Sequence, residues 1–313
     1  MNIGFYGKGG SGKTTLSALF ATYLDSKDYT VGLLDVDVNS HTAEILGVTE
    51  AKDLSLPEHK TDIYRYLAGE NPRVKPSEFL NTTPPGAGSG RWSMDADNYL
   101  TKTYGRRFGS RSHIFTVGSY TPDRVGVDCH HGAQKVAENM VSHAAYGKHD
   151  VLVVDSVAGN DAFGTSLFLN DVLVFVVKPE REGVAVMKRF ITLAEQTGVA
   201  ERVLVVGNLA SHPAQVEFLQ HEVPADKLLG VLPLSDTVMQ RRLDGQPLGM
   251  ESVGDMEAEL FEILLARCQE LRRPLAKRHE ALLDMHKKVA REGWVAGAYR
   301  AGLVDQIDEA YQP

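Results

Sequence analysis

Cysteine, positive charge and long apolar segments are all scarce in this sequence, and each deficit excludes a class of protein. Two cysteines in 313 residues are too few for a disulfide framework and fit a reducing compartment. No run approaches the roughly 20 uncharged apolar residues of a membrane span, and the first residues do not form a basic-then-apolar leader. We therefore expect a protein of the cytoplasm.

Acidic residues outnumber basic ones, 41 to 33, which gives a formal net charge of −8. Wholesale binding to nucleic acid needs a basic footprint, so this balance argues against it. Near the end of the chain Asp305, Asp308 and Glu309 would be repelled by anionic lipid, which argues against a membrane-bound tail. The composition, 43% hydrophobic and 24% charged, is that of a folded globular protein.

Short apolar runs alternate with helix-patterned stretches along the first 271 residues. Several runs are apolar on both faces of the pleat, as in parallel strands covered by helices on both sides. This alternation predicts an α/β fold with a doubly wound, mostly parallel sheet. We predict strands at residues 2–6, 30–34, 113–117, 151–154, 172–177 and 202–206, and helices at 13–26, 133–145, 182–196 and 255–271.

Two segments depart from this alternation of strands and helices, and they indicate the domain organisation. Residues 81–111 are rich in Pro, Gly and Ser, which predicts a mobile loop or an insertion. Residues 274–313 form a tail in which an apolar stripe at helical spacing predicts two helices, broken near Gly293 and Gly297. We therefore expect one domain over residues 1–273 followed by a helical extension.

A phosphate-binding loop opens the chain as "YGKGGSGKTT". The motif G-x-x-x-x-G-K-[ST] lies between a predicted strand and a predicted helix, as its function requires. Loop amides and the helix N-terminus suit phosphate oxygens, Lys13 would bridge the outer phosphates, and the Thr14 hydroxyl would coordinate Mg²⁺. The predicted nucleotide contacts are Gly7, Gly9, Gly10, Ser11, Gly12, Lys13, Thr14 and Thr15.

A second lysine, Lys8, makes the loop resemble the deviant Walker A motif of the MinD/ParA/nitrogenase iron protein class. The resemblance implies an ATPase in which Lys8 reaches across an ATP-sandwich homodimer to the partner's phosphates. Like an arginine finger, such a charge acts only when the dimer closes, so dimerisation would control hydrolysis. The alternative is that Lys8 adds charge in cis to its own loop.

Three further segments resemble motifs of the same class. In "LLDVDVNSH", similarity to switch I implies that Asp35 helps to hold the waters of Mg²⁺ and that catalytic Asp37 orients the attacking water, with helix capping as the alternative. In "VLVVDSVAGND", similarity to Walker B and switch II implies that Asp155 binds Mg²⁺ through water. There the Gly159 amide would approach the γ-phosphate.

The segment "VLVVGNLASH" resembles the base-binding strand end of the class, in which Asn208 would bind the base. A guanine reader would carry N-K-x-D, but Leu209 and Ser211 replace its lysine and aspartate, which favours ATP over GTP. The later "GVLPLSD" resembles the segment that closes over adenine and contributes Pro233.

The segment "VGVDCHHGAQ" bears on the branch of the class. Together with both switches it resembles the carbon monoxide dehydrogenase maturation (nickel-insertion) ATPases, which bind metal through Cys-x-Cys across the dimer. Val127 replaces the first cysteine, but Cys129 and His131 from each subunit could form a tetrahedral site for Ni or Zn. The alternative is a buried thiol beside a structural histidine pair. Cys268 lies among leucines and is predicted as core.

These observations favour a Mg²⁺-dependent ATPase that couples hydrolysis to metallocentre maturation or metal delivery to a client protein. A ParA/MinD-type positioning ATPase, which binds DNA or membrane as its ATP dimer, is the alternative. A redox ATPase like nitrogenase iron protein is disfavoured because no second cysteine follows the "DSVAG" segment.

Overall fold

The computed structural model of the chain describes residues 1–37, 41–49, 55–118 and 130–313, and nothing is described of the side chains of His130 and His131. Its strands form one eight-stranded sheet in the order β3-β4-β2-β5-β1-β6-β7-β8, parallel except for the β3–β4 pair. The strands are β1 (Asn2–Gly7), β2 (Thr30–Asp35), β3 (Arg106–Arg107), β4 (His113–Thr116), β5 (Asp150–Asp155), β6 (Val172–Val177), β7 (Val203–Ala210) and β8 (Leu228–Pro233).

Helices cover the sheet and extend beyond it. Those before β5 are α1 (Lys13–Ser26), α2 (Thr42–Ile45), α3 (Lys60–Ala68), α4 (Tyr99–Tyr104) and α5 (His130–His143). Those after it are α6 (Arg181–Gln196), α7 (Pro213–Glu222), α8 (Asp236–Leu243), α9 (Asp255–Leu271), α10 (Leu275–Val289) and α11 (Gly293–Ala298). The expected doubly wound, mostly parallel α/β fold is confirmed.

Burial explains why the central strands and long helices were predictable. Strand β6 reads VLVFVV and is buried at every position, because helices cover both faces of the sheet. In α6, Val184, Met187, Phe190 and Ala194 recur at helical spacing and form the buried stripe. The elements missed from the sequence include the edge strand β8, which is mostly half-buried, and α2, which has four residues.

The proline- and glycine-rich segment 81–111 packs into the molecule rather than standing out as a loop. Trp92 and Met94 are fully buried, and the Trp92 indole N–H donates to the Met140 carbonyl at 2.6 Å. This segment, expected as a mobile loop or an insertion, contributes Trp92 and Met94 to a core cluster. Burial of these side chains offsets the entropy that a Pro/Gly-rich stretch loses on ordering.

The tail packs back onto the same region. Helices α10 and α11 form as expected, and α10 turns Leu282 and His286 inward. Gln306 is buried and bonds to Thr83, and the Arg91 guanidinium donates to the Tyr311 hydroxyl at 2.9 Å. The tail therefore buries polar groups as well as apolar ones against the chain that precedes β4.

Candidate functional site

The carboxyl ends of the parallel strands converge on the phosphate loop. β1 leads into residues 8–12, and α1 begins at Lys13. Gly12 has φ +83°, and a Cβ there would collide with the Asn208 amide. A Cβ at Gly7 would lie 2.5 Å from the Val176 carbonyl oxygen. Glycine is therefore required at both positions, because of left-handed backbone at Gly12 and close backbone approach at Gly7.

Lys13 lies at the centre of the site. Its Nζ is 2.7 Å from Asp155 Oδ1 and 3.7 Å from Asp37 Oδ2, and its side chain is 6% exposed. Burial acts to lower the pKa of Lys13, but the carboxylates of Asp155 and Asp37 outweigh it and hold that pKa above its usual value. Lys13 is therefore a fixed positive charge at the beginning of α1.

Asp35 and Asp155 end the neighbouring strands β2 and β5 and lie in register with each other. Both are fully buried. Thr42 connects them, because its backbone N–H donates to Asp35 Oδ2 at 3.3 Å and its hydroxyl donates to Asp155 Oδ2 at 3.2 Å. Sequence reasoning missed Thr42, because its bond to Asp155 spans 113 positions of the chain. Carboxylates and the nearby Thr14 hydroxyl are the hard oxygen ligands that suit Mg²⁺.

Asn208 lies on the opposite side of the loop from Asp37. Its Nδ2 donates to the Ser11 carbonyl at 2.9 Å and thereby joins β7 to the phosphate loop. The next residue, Leu209, has φ +63°. A leucine in the left-handed region is strained, and such strain clusters at binding sites.

Lys8 lies at the outer end of the loop and is half-buried, beside exposed Gly9 and Gly10. Its carbonyl accepts from the Ser11 N–H at 3.1 Å. The neighbouring Glu180 pairs with Lys178 at 2.5 Å. The hydrogen bond from Lys178, with a smaller contribution from Lys8, holds the pKa of Glu180 below its usual value.

A cavity of about 760 Å³ opens over the loop and is large enough for a nucleotide. The predicted residues that line it are Lys8 to Thr15, Asp35, Asp37, Asn208 and Pro233. Asp155 is buried behind Lys13, and Gly159, at φ +72°, donates its N–H to the Gly7 carbonyl at 2.8 Å. Lining residues that the sequence did not single out include Met239, Arg242 and Leu243.

The second predicted site, at Cys129 and His131, cannot be placed on this framework. Cys129 lies outside the described residues, and His131 belongs to α5 without a described side chain. Within the described ranges, no group of three or more His, Cys, Asp or Glu side chains could hold a metal ion. Cys268 is fully buried as expected, and burial raises the pKa of its thiol.

The fold and the loop define a nucleotide-binding protein of the P-loop class. The family model of the CobQ/CobB/MinD/ParA nucleotide-binding domain matches residues 5–248, so the chain belongs to this family. This family membership confirms the expected MinD/ParA resemblance, and the chain is an ATP-binding protein of that type.

Two sequence relatives are each 23% identical to the chain. An uncharacterized ATP-binding protein of Methanocaldococcus jannaschii matches over 80% of this chain and 95% of its own length. The carbon monoxide dehydrogenase accessory protein CooC of Rhodospirillum rubrum matches over 76% of this chain and 85% of its own. The second relative agrees with the maturation-ATPase resemblance of the two switch segments.

Two solved structures share the fold at 18% identity. One, from Borrelia burgdorferi B31, is described as a plasmid partition protein bound to AMPPNP; it has a TM-score of 0.58 and covers 85% of this chain and 98% of its own. The other is MinD of Pyrococcus horikoshii complexed with Mg-ADP, with a TM-score of 0.55 and coverage of 89% and 99%. In the described part of this chain, every helix is too short or too polar to cross a bilayer.

Proposed function

We propose that this protein is a Mg²⁺-dependent ATPase whose hydrolysis is controlled by homodimerisation and drives metallocentre maturation or metal delivery to a client protein. The observation that carries the ATPase part is the position of Lys13. Its ammonium lies between the Walker B-like Asp155 and the switch-like Asp37, at the base of a nucleotide-sized cavity.

In this proposal the loop amides and Lys13 bind and neutralise the β- and γ-phosphates. Thr14, Asp35 and Asp155 hold Mg²⁺, directly or through water, and Thr42 keeps the two carboxylates in place. When bound, Mg²⁺ neutralises charge that develops on the phosphate oxygens. Asn208 and Pro233 contact the base on the far side of the cavity.

Asp37 orients the attacking water. Its carboxylate lines the cavity and is 21% exposed, so water can reach it, and it lies 3.7 Å from the ammonium that binds the outer phosphates. Gly159 lies at the start of the loop after Asp155, where its N–H can exchange the Gly7 carbonyl for a γ-phosphate oxygen.

Steady-state phosphate release tests the reaction. Lys13→Ala and Asp37→Asn should each reduce ATP hydrolysis by at least about 100-fold, and chelation of Mg²⁺ should stop it. Asp37→Asn should retain ATP binding, whereas Lys13→Ala should lose it. Hydrolysis that persists in Asp37→Asn would remove Asp37 from the mechanism, and hydrolysis by Lys13→Ala would contradict the site itself.

Lys8 acts in trans in this proposal. Its position at the outer end of the loop, next to exposed glycines, leaves it accessible to a second copy of the chain. Lys8→Ala and Lys13→Ala subunits should each be inactive alone. Mixed, they should regain partial activity, because in the heterodimer the one site that retains Lys13 receives Lys8 from the partner subunit. Full activity of Lys8→Ala alone would contradict the trans role.

The client role rests on the similarity to CooC and on the Cys129–His131 pair. The ATP-bound protein should bind nickel or zinc at one ion per dimer, and Cys129→Ser should abolish this binding while ATP hydrolysis continues. Cys268→Ala is the control, because Cys268 is buried in the main core and should not affect metal content. ATP-dependent retention on DNA or anionic vesicles, without metal binding, would favour the positioning alternative.

A further inference from the structure

Helix α8 lies against the nucleotide cavity but buries little of itself. It belongs entirely to the described part of the chain, and none of its residues is buried. Four of them line the cavity: Val238, Met239, Arg242 and Leu243. Met239 is 43% exposed and Leu243 is 76% exposed, so the apolar part of this wall faces solvent. A helix with so few buried contacts is weakly held by the rest of the fold.

Arg242 connects α8 to the phosphate loop. Its Nη1 donates to the hydroxyl of Thr15, in the first turn of α1, at 3.2 Å across 227 positions of sequence. Among the described residues, no carboxylate lies within ion-pair distance of this guanidinium. An arginine has five N–H donors in a planar fork, so most of them remain available for a phosphate.

The neighbouring Arg241 differs in this respect. Its guanidinium donates to the Pro247 carbonyl at 3.0 and 2.8 Å and pairs with Glu251 at 2.8 Å, and it does not belong to the cavity lining. The two arginines therefore share a helix and a charge but not a role. Arg241 fastens the end of α8 to the chain that follows, while Arg242 presents a cation to the cavity.

The position of Arg242 also indicates which phosphate it reaches. Asp37 and Asp155 lie beside Lys13, at the outer-phosphate end. Arg242 lines the cavity from α8, which begins three residues after Pro233, the residue assigned to the base. A cation between the base wall and Thr15 faces the inner end of the phosphate chain.

We propose that Arg242 is a nucleotide-positioning residue that binds the inner phosphates of ADP and ATP and holds α8 against the bound nucleotide. This inference rests on nucleotide binding in the cavity and not on the proposed hydrolysis. Bound nucleotide would cover the exposed side chains of Met239 and Leu243. Helix α8 therefore becomes more ordered when nucleotide binds.

Calorimetric titration with ATP, ADP and adenosine tests the proposal without requiring turnover. Arg242→Ala should weaken ATP and ADP equally, by about 10-fold, and leave adenosine unchanged, since a hydrogen bond to a charged group is lost in both nucleotides. Arg242→Lys should recover part of this affinity. Arg241→Ala should lower the melting temperature and keep the ratio of ADP to adenosine affinity.

Hydrogen exchange supplies a second readout. ADP should protect the α8 amides in the native protein, and this protection should be lost in Arg242→Ala but retained in Arg241→Ala. Unchanged affinities in Arg242→Ala would overturn the proposal. Loss for ATP alone would place Arg242 at the γ-phosphate, and equal loss for adenosine would make its role structural; both outcomes contradict an inner-phosphate contact. If no nucleotide hydrolysis is found, these binding results still stand.

Discussion

Lys13 and Asp155 form a buried ion pair at the centre of the site, with Nζ 2.7 Å from Oδ1 and side chains that are 6% and 0% exposed. The pair joins the beginning of α1 to the end of β5, so the residues that we propose to bind phosphate and Mg²⁺ also hold two elements of the core together. Charges in such a place are stable only as partners, because desolvation of either one alone is costly.

Removal of Lys13 should therefore destabilise the protein as well as abolish ATP binding. We expect Lys13→Met to lower the free energy of unfolding by about 3 kcal/mol, because Asp155 is left buried without its cation. The double variant Lys13→Met/Asp155→Asn should recover most of the lost free energy of unfolding, but it should still not bind ATP. Urea unfolding followed by the fluorescence of buried Trp92 measures the first quantity. Equal stabilities of the single and double variants would contradict the coupling.

Gly12 should tolerate no side chain. Gly12→Ala meets a left-handed backbone, which costs about 1 kcal/mol, and also the amide of Asn208. Gly198→Ala is a matched control, because Gly198 has φ +70° with no atom within 4 Å of an added Cβ. We expect the control to show the backbone cost alone and Gly12→Ala to lose clearly more stability. In the double variant Gly12→Ala/Asn208→Ala, the stability that Gly12→Ala loses beyond this backbone cost should be recovered.

Stability should decrease in mild acid because buried histidines resist protonation. Burial, with a smaller contribution from Arg91, lowers the pKa of His143 to about 3, below its ordinary value of 6.5. Between these values the unfolded chain binds the proton and the native protein does not. The free energy of unfolding therefore decreases as pH falls from about 6.5 towards 3, by about 1.4 kcal/mol per pH unit for each proton.

The slope of stability against pH measures this contribution. His143→Gln should flatten it between pH 4 and 6, roughly the interval below the unfolded pKa. Burial also lowers the pKa values of three other histidines, His113, His279 and His286. Part of the dependence of stability on pH should therefore remain in His143→Gln. A slope unaltered by His143→Gln would contradict the assignment.

The tail should be coupled to the sheet through Arg278. Its Nε lies 3.3 Å from Asp171 Oδ1, with the two side chains 12% and 0% exposed. Arg278→Met leaves Asp171 buried without its partner, and we expect a loss of about 3 kcal/mol in the free energy of unfolding. Lys277→Met, at an exposed neighbouring position, should change stability by less than about 0.5 kcal/mol. If Arg278→Met lowered the free energy of unfolding no more than Lys277→Met does, the ion pair would contribute nothing to stability.

The phosphate loop could be predicted from the sequence because its chemistry is contiguous. A strand, a glycine turn, Lys13 and a helix follow one another, and each requirement falls within residues 2–26. Asp35, Asp155 and Asn208 could be predicted for a related reason. Each lies at or near the carboxyl end of a recognisable apolar strand, and parallel strands bring their carboxyl ends to one edge of the sheet.

Only the tertiary structure could reveal Thr42 between two carboxylates, Arg242 beside Thr15, and the tail packed against residues 78–91. None of these relationships has a fixed spacing in the chain, because each joins residues from separate elements whose distance depends on how helices pack on the sheet. Local pattern determined the fold class and the phosphate site of this protein. Long-range packing decided which further side chains reach the cavity, since burial and charge pairing act between surfaces and not along the sequence.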